Sequence, residues 1–388
     1  MTDTGTPEAQ RTLLVTGAAG FIGSAVVRHL LGNTPHHVVS YDALTYAGSR
    51  DNLPDDERDG RHAFVHADVN DAVVLDHTLA QYEPDAVLHL AAESHVDRSI
   101  DGPAAFIRSN LQGTFTLLEA ARRFLATRTA FERERFRFVH VSTDEVFGSL
   151  GAEGAFDTHT AYDPRSPYSA SKAGSDHLAR AWLHTYGLPV VVTNCSNNYG
   201  PYQYPEKLIP HVILRAIHGL PLPVYGDGSN VRDWLYVDDH ARGLVAAALR
   251  GTPGATYLFG GGAERTNLEV VERLCAVLDE LRPRGAPHAR LITFVRDRPG
   301  HDFRYAIDAS SAHEGLGWGP RHAFEDGIRD TVAWYLDNLG WCERRLGSGY
   351  GLERLGVGRE APDGSAGGQA GSRDGGDAGG RTGRRGSA

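Results

Sequence analysis

Short apolar runs alternate with longer amphipathic stretches along the first 200 residues of this 388-residue chain. The runs TLLVT (12–16), HVVSYD (37–42), AFVHADV (63–69), AVLHLAA (86–92), FRFVHVST (136–143) and PVVVTNCS (189–196) have the length and β-branched content of strands. Segments with helical spacing separate most of them, notably 72–82, 103–126 and 168–186. Strands alternating with helices predict an α/β fold on a doubly wound, mostly parallel sheet over residues 12–200, behind an extension of residues 1–11. Past residue 200 the alternation weakens, and Pro201, Pro205, Pro210, Pro221 and Pro223 interrupt it. That predicts a smaller, less regular domain over 201–355, with segments that return to the first. Residues 360–388 carry no large apolar side chain. They cannot bury enough surface to offset their ordering entropy, so disorder is expected there.

Composition narrows the function. Hydrophobic residues make up 41% and charged residues 23%, as in a globular protein with a sizeable core. A net charge of −10 argues against nucleic-acid and membrane-surface partners. The start, MTDTGTPEAQRT, lacks the basic and apolar regions of a signal peptide, and no apolar run approaches the roughly 20 residues of a membrane span. Cys195, Cys275 and Cys342 are scattered without metal-ligand spacing, and His36, His37, His62 and His66 show none either, so no metal is expected. A cytoplasmic enzyme is the expectation. Arginine so dominates the cations that Lys172 and Lys207 are the lysines of the chain. Such a chain keeps an ammonium where a compact, tunable cation is needed.

The first strand runs into GAAGFIGSAVVRHLL, with Gly17, Gly20 and Gly23 at a strand-to-helix junction. The second strand ends on Asp42, 19 residues after Gly23. Glycines there permit a tight turn and close backbone approach, and the helix N-terminus offers unpaired N–H groups to a pyrophosphate. Asp42 accepts from ribose hydroxyls and repels a 2′-phosphate, which favours NAD over NADP. The fold is thus expected to be Rossmann-type, the second domain being the substrate domain.

Tyr168 and Lys172 stand four apart in YSASKAGSDH, on one face of a helix. A nearby ammonium and an oxidised nicotinamide favour the phenolate, making an acid/base for hydride transfer. After a dinucleotide turn and a strand ending Ser142-Thr143, this is the signature of the extended short-chain dehydrogenase/reductases. The same strand runs into two adjacent acids, Asp144 and Glu145, in FVHVSTDEVFG (138–148). One reading makes them a helix-capping acid beside a solvated neighbour. The other uses them: ligands bind beyond the carboxyl ends of such strands, and two acids beside a redox site suit an elimination. One carboxylate removes a proton beside a transient carbonyl, and the other protonates a leaving hydroxyl.

Through TGAAGFIG, YDALTYAG, LAAESHVDRSI, STDEVFG, YSASKAGSDH, NCSNNYGPYQYPEKLIP, YGDGSNVRDWLYVDDH and DRPGHDFRYAID, the chain resembles the dTDP-glucose 4,6-dehydratases from about residue 12 to 355. The resemblance implies a lyase that dehydrates dTDP-glucose to dTDP-4-keto-6-deoxyglucose with NAD regenerated. Tyr168 would oxidise C4 with the support of Lys172. Thr143 would bond the sugar O4, Asp144 would protonate the C6 hydroxyl, and Glu145 would take the C5 proton. It assigns Gly17, Gly20, Phe21, Ile22, Gly23, Asp42, Ala43, Leu44, Thr45, Asp68, Val69, Leu90, Ala91, Ala92, Ser94, Ser109, Tyr168, Lys172 and Asn198 to NAD. It assigns Ser94, Thr143, Asn197, Lys207, Leu208, Pro223, Val224, Tyr225, Arg232, Asn267, Asp297, Arg298, His301 and Tyr350 to the nucleotide sugar. It also implies a homodimer, built where helix 103–126 (Phe106, Ile107, Leu111, Phe115, Leu118, Leu125) and helix 168–186 (Leu178, Ala181, Trp182, Thr185) pair across a two-fold axis. A nucleotide-sugar 4-epimerase, a dehydratase of another nucleotide sugar and a non-catalytic sensing module stay open at this point. The choice of thymine rests on the resemblance alone.

Overall fold

The computed structural model describes residues 9–54, 60–297, 300–347 and 352. Most of the N-terminal extension, Arg298, Tyr350 and the segment 360–388 lie outside them. The first half runs β1 (Thr12–Thr16), α1 (Phe21–Asn33), β2 (His37–Asp42), β3 (His62–His66), α2 (Ala72–Tyr82), β4 (Ala86–His89), α3 (Val96–Asp101), α4 (Pro103–Phe106), α5 (Gly113–Ala126), α6 (Ala130–Arg135), β5 (Arg137–Thr143), α7 (Pro167–Tyr186) and β6 (Val190–Cys195). The second half runs β7 (Asn197–Tyr199), α8 (Leu208–Ile217), β8 (Leu222–Tyr225), β9 (Val231–Tyr236), α9 (Val237–Arg250), β10 (Thr256–Phe259), β11 (Glu264–Thr266), α10 (Asn267–Leu281), β12 (Ile292–Val295), α11 (Ser310–Leu316), α12 (Phe324–Asp337) and α13 (Leu339–Leu346).

Seven strands form a parallel sheet in the order β10-β6-β5-β4-β1-β2-β3. Both of its faces are covered, which explains why its strands read as nearly continuous apolar runs. Leu13 and Leu14, neighbours on β1, are both buried but belong to opposite cores. One core packs α1 and α9 on the sheet, and the other packs α2, α5 and α7. The strand order reverses between β1 and β4, and the crevice at that switch point, beyond the carboxyl ends, is the ligand position of such sheets.

After residue 200 the chain builds a second core around Tyr199, Ile213, Leu274 and Tyr335, with the small sheets β11-β9-β7 and β12-β8. β10 and α9 go back to the first sheet, pairing with β6 and packing on α1. Among the described residues, no helix is long and apolar enough to cross a membrane.

Three elements differ from the sequence reading. The strands expected at 63–69 and 86–92 stop at His66 and His89, because the apolar residues after them leave the sheet to line a cavity. The helix expected over 103–126 is interrupted by a π-helical turn, Ile107–Gln112. That turn carries the buried Asn110, which bonds Glu93 through both its backbone N–H and C=O and donates to Ser171 on α7. The apolar face proposed for pairing also divides. Phe106, Leu118 and Leu125 are buried within the chain, whereas Ile107 and Phe115 are 51% and 46% exposed.

Candidate active site

The turn after β1 is built for close approach. Gly17 has φ +67, and a Cβ there would come within 2.7 Å of the Ala91 amide nitrogen. A Cβ on Gly23 would collide with the Gly17 carbonyl. The N-terminus of α1 has Gly20 at its cap and no side chain satisfying its N–H groups. Unpaired donors at a helix start facing a cavity suit a pyrophosphate. Asp42 lies opposite, accepting from the amides of Ala19 at 2.9 Å and Leu44 at 2.7 Å. Burial pushes its carboxyl up, and those two backbone bonds oppose the shift. These residues fit a dinucleotide.

A cavity of about 450 Å³ runs from this turn to the end of β5. Gly17, Gly20, Phe21, Ile22, Gly23, Asp42, Ala43, Thr45, Asp68, Val69, Leu90, Ala91, Ala92, Ser94 and Ser109 line one part of it. Thr143, Asp144, Glu145, Tyr168, Lys172, Asn197, Asn198 and Lys207 line the other. Leu44 is turned away at φ +52, its amide spent on Asp42. Leu208, Pro223, Val224, Tyr225, Arg232, Asn267, Asp297 and His301 stand outside this lining. Among them, Arg232 is close enough to Asp144 to act on its carboxyl, and Tyr225 donates to Asp97 and packs edge-on against His301.

At the end of β5 the question of the paired acids is answered by burial. The cap of the short helix Asp144–Phe147 is Thr143, whose hydroxyl accepts from the Glu145 amide at 3.3 Å. Asp144 is therefore neither the cap nor solvated: it is 2% exposed. Its Oδ1 accepts from the Thr143 hydroxyl at 3.3 Å, and its Oδ2 has no hydrogen-bond partner among the described residues. Burial first, then the charge of Glu145, drive its carboxyl well above the usual range. Asp144 is thus biased toward its neutral form beside the half-buried Glu145, and two such environments can divide acid from base.

Tyr168 and Lys172 reach the same end from α7, which starts in register because Ser166 and Ser169 cap it reciprocally and Pro167 opens its first turn. Burial, then Glu145, push the Tyr168 phenol well above its ordinary value, and its hydrogen bond with Thr143 opposes this. Lys172 donates to the Val141 carbonyl at 2.8 Å.

Several lining residues carry no mark in the sequence reading. Glu206 accepts from Tyr46 at 3.0 Å and from Arg98 at 2.7 Å, and Lys207 donates to the Ser94 carbonyl at 2.8 Å, so segments far apart in sequence close one side of the cavity. Beneath the floor, Asp176 is fully buried. The spacing of four that picks out Tyr168 and Lys172 extends to it, and that signal was available.

Residues 14–331 match the family described as GDP-mannose 4,6 dehydratase. A dTDP-glucose 4,6-dehydratase of Neisseria meningitidis serogroup B is 57% identical over 354 residues, covering 90% of this chain and 100% of that protein. Among solved structures, the dTDP-glucose 4,6-dehydratase of Streptomyces venezuelae with NAD bound is 46% identical, with a TM-score of 0.78 over 86% of this chain and 99% of that one. The Bacillus anthracis dTDP-glucose 4,6-dehydratase in complex with NAD is 40% identical, with a TM-score of 0.76 over the same shares.

Proposed function

The chain belongs to the dTDP-glucose 4,6-dehydratase family, and we propose that it converts dTDP-glucose to dTDP-4-keto-6-deoxyglucose and water with NAD as resident cofactor. The observation that carries this reading is the buried, singly bonded Asp144 next to Glu145 at the mouth of β5, within reach of Tyr168. An epimerase needs only the oxidation machinery. A sensing module needs neither.

Gly17, Gly20 and Gly23 with the start of α1 would hold the cofactor's pyrophosphate, and Asp42 would hold its adenosine ribose. When bound, NAD would supply the positive charge and the reversible hydride acceptor that the C4 oxidation and C6 reduction need, so none would be consumed. Tyr168 takes the proton of the C4 hydroxyl, and Thr143 orients that oxygen through the hydroxyl it already shares with Tyr168 and Asp144. The ketone formed at C4 acidifies the C5 hydrogen, which Glu145 removes. Asp144, kept protonated by its burial, donates its proton to the departing C6 hydroxyl, and water leaves. As hydride reaches C6, Glu145 gives its proton back to C5, and the proton left on Tyr168 passes to Asp144 through the site or solvent, which restores all three groups.

Lys207, Asn197 and Ser94 on the cavity wall face the nucleotide sugar in this reading, with Arg232 behind Asp144. Arg298 and Tyr350 complete that set by resemblance. The reading also includes a homodimer across the exposed face of Ile107, Phe115, Trp182 and Tyr186, and residence in the cytoplasm, which three unpaired cysteines suit. Incubating the purified protein with dTDP-glucose and, in parallel, UDP-glucose tests the function. A 4-keto-6-deoxy product from dTDP-glucose is expected, and a C4 epimer in its place overturns the reading.

A further inference from the structure

Tyr168, Lys172 and Asp176 follow one another at four-residue intervals on the inner face of α7, and they are 8%, 5% and 0% exposed. The last two grip consecutive residues of β5. Lys172 donates to the Val141 carbonyl at 2.8 Å, and the Ser142 hydroxyl donates to Asp176 Oδ2 at 2.8 Å. Asp176 also accepts from His140 at 2.9 Å and from the Tyr162 hydroxyl at 2.9 Å. A carboxyl buried this deeply is driven toward its neutral form unless hydrogen bonds and a cation hold its charge. Here they do: burial pushes Asp176 up, but the bonds from His140 and Ser142 and the charge of Lys172 leave it below the usual range.

We infer that Asp176 is a positioning residue for the oxidation step: one helical turn beyond Lys172, it supplies the buried counter-charge that keeps that side chain an ammonium and ties the end of β5 to α7 through Ser142. The surrounding groups leave this role to Asp176. Burial pushes the Lys172 ammonium down, while Asp176 and Cys195 push it back up. Cys195, on β6, is itself driven up by burial and stays an uncharged thiol at neutral pH. His140 on β5 and His89 on β4, with ring centroids 5.6 Å apart, are both pushed down by burial and stay neutral. Arg180, the other cation on α7 near this layer, is engaged with the Tyr162 hydroxyl at 3.4 Å. Asp176 is therefore the buried anion that acts on Lys172 from one helical turn away. Without it burial would push the Lys172 ammonium further down with no buried carboxylate opposing it, which weakens the cation that supports the Tyr168 phenolate.

The consequence for turnover rests on the dehydratase reading, but the charge itself can be measured without substrate. Lys172 and Lys207 are the lysines of the chain, so protein carrying ¹³C at lysine Cε gives two signals, assigned with Lys207→Arg. In the NAD-bound wild type, the Lys172 signal should keep its ammonium shift through neutral pH. In Asp176→Asn it should titrate lower by about one unit or more, tenfold in the proton equilibrium. The alkaline limb of kcat/KM for dTDP-glucose should move down with it. Tyr162→Phe, which removes one hydrogen bond to Asp176 and leaves its charge, should titrate like the wild type. If the Asn variant does not fold, Asp176→Ser carries the same test. A Lys172 titration unchanged by loss of the Asp176 charge, or moved as far by Tyr162→Phe, overturns the inference. Because the lysine signal does not depend on catalysis, its failure is distinct from a failure of the dehydratase reading.

Discussion

The Asp42 carboxylate accepts a hydrogen bond from the Ala19 amide at 2.9 Å, so the acid that ends the second strand is tied to the glycine turn that ends the first. The geometry of that turn and the identity of the nucleotide it receives are therefore set together. A 2′-phosphate would have to displace or face a buried carboxylate already fixed by two amides.

NAD, and not NADP, should accompany the protein through purification. Asp42→Ala should weaken retention of NAD by about 10- to 150-fold, the value of one charged hydrogen bond of about 1.5–3 kcal/mol. Denaturing the purified protein and identifying the released nucleotide checks the first point, and calorimetric titration of the stripped protein checks the second. Stoichiometric NADP contradicts both.

The exposed apolar face should be an interface between two copies. Phe115 stacks edge-on against the half-buried Trp182 with ring centroids 5.8 Å apart, and Trp182 against Tyr186 at 5.4 Å, leaving an aromatic ridge at the surface. Light scattering at micromolar concentration should give twice the chain mass. Phe115→Asp should shift it to the chain mass while leaving the folded core, to which Phe115 contributes little, near its original Tm.

Asp144 should trade stability for function. Its folded carboxyl titrates well above its unfolded value, chiefly through burial. Stability is therefore fully present below the unfolded value and is lost as pH rises through the folded one, about 1.4 kcal/mol for each unit between them. Asp144→Asn carries no such titration. Its Tm should exceed that of the wild type by a margin that widens with pH, while dehydration falls. A margin constant across the pH range, read by thermal unfolding, would contradict a carboxyl kept neutral by the fold.

Much of this was legible in the chain because local signals and tertiary demands agree. β1, β2 and α2 begin and end where apolar runs meet glycine, aspartate or a capping side chain. Ala67–Val69 and Leu90–Ala92 read as strand because they are apolar, yet they face a cavity, and composition does not distinguish a cavity wall from a sheet. The break at Ile107–Gln112 has no proline or glycine within it. It serves Asn110, whose partners Glu93 and Ser171 lie 17 and 61 residues away. Glu206 and Arg98 meet across 108 residues, and no local pattern announces such a pair. Asp176 differs from these, since its four-residue spacing from Lys172 was in plain view.

The central claim is that Asp144 and Glu145 perform an elimination separate from the oxidation performed by Tyr168. Mixing each variant with dTDP-glucose and following reduced-nicotinamide absorbance alongside the 4-keto-6-deoxy product tests it most directly. Asp144→Asn and Glu145→Gln should develop the absorbance yet lose about 10²–10⁴-fold in product formation, the usual contribution of a general acid or base. Tyr168→Phe should give neither signal. Near-normal product from both acid variants would contradict the account and make the pair structural.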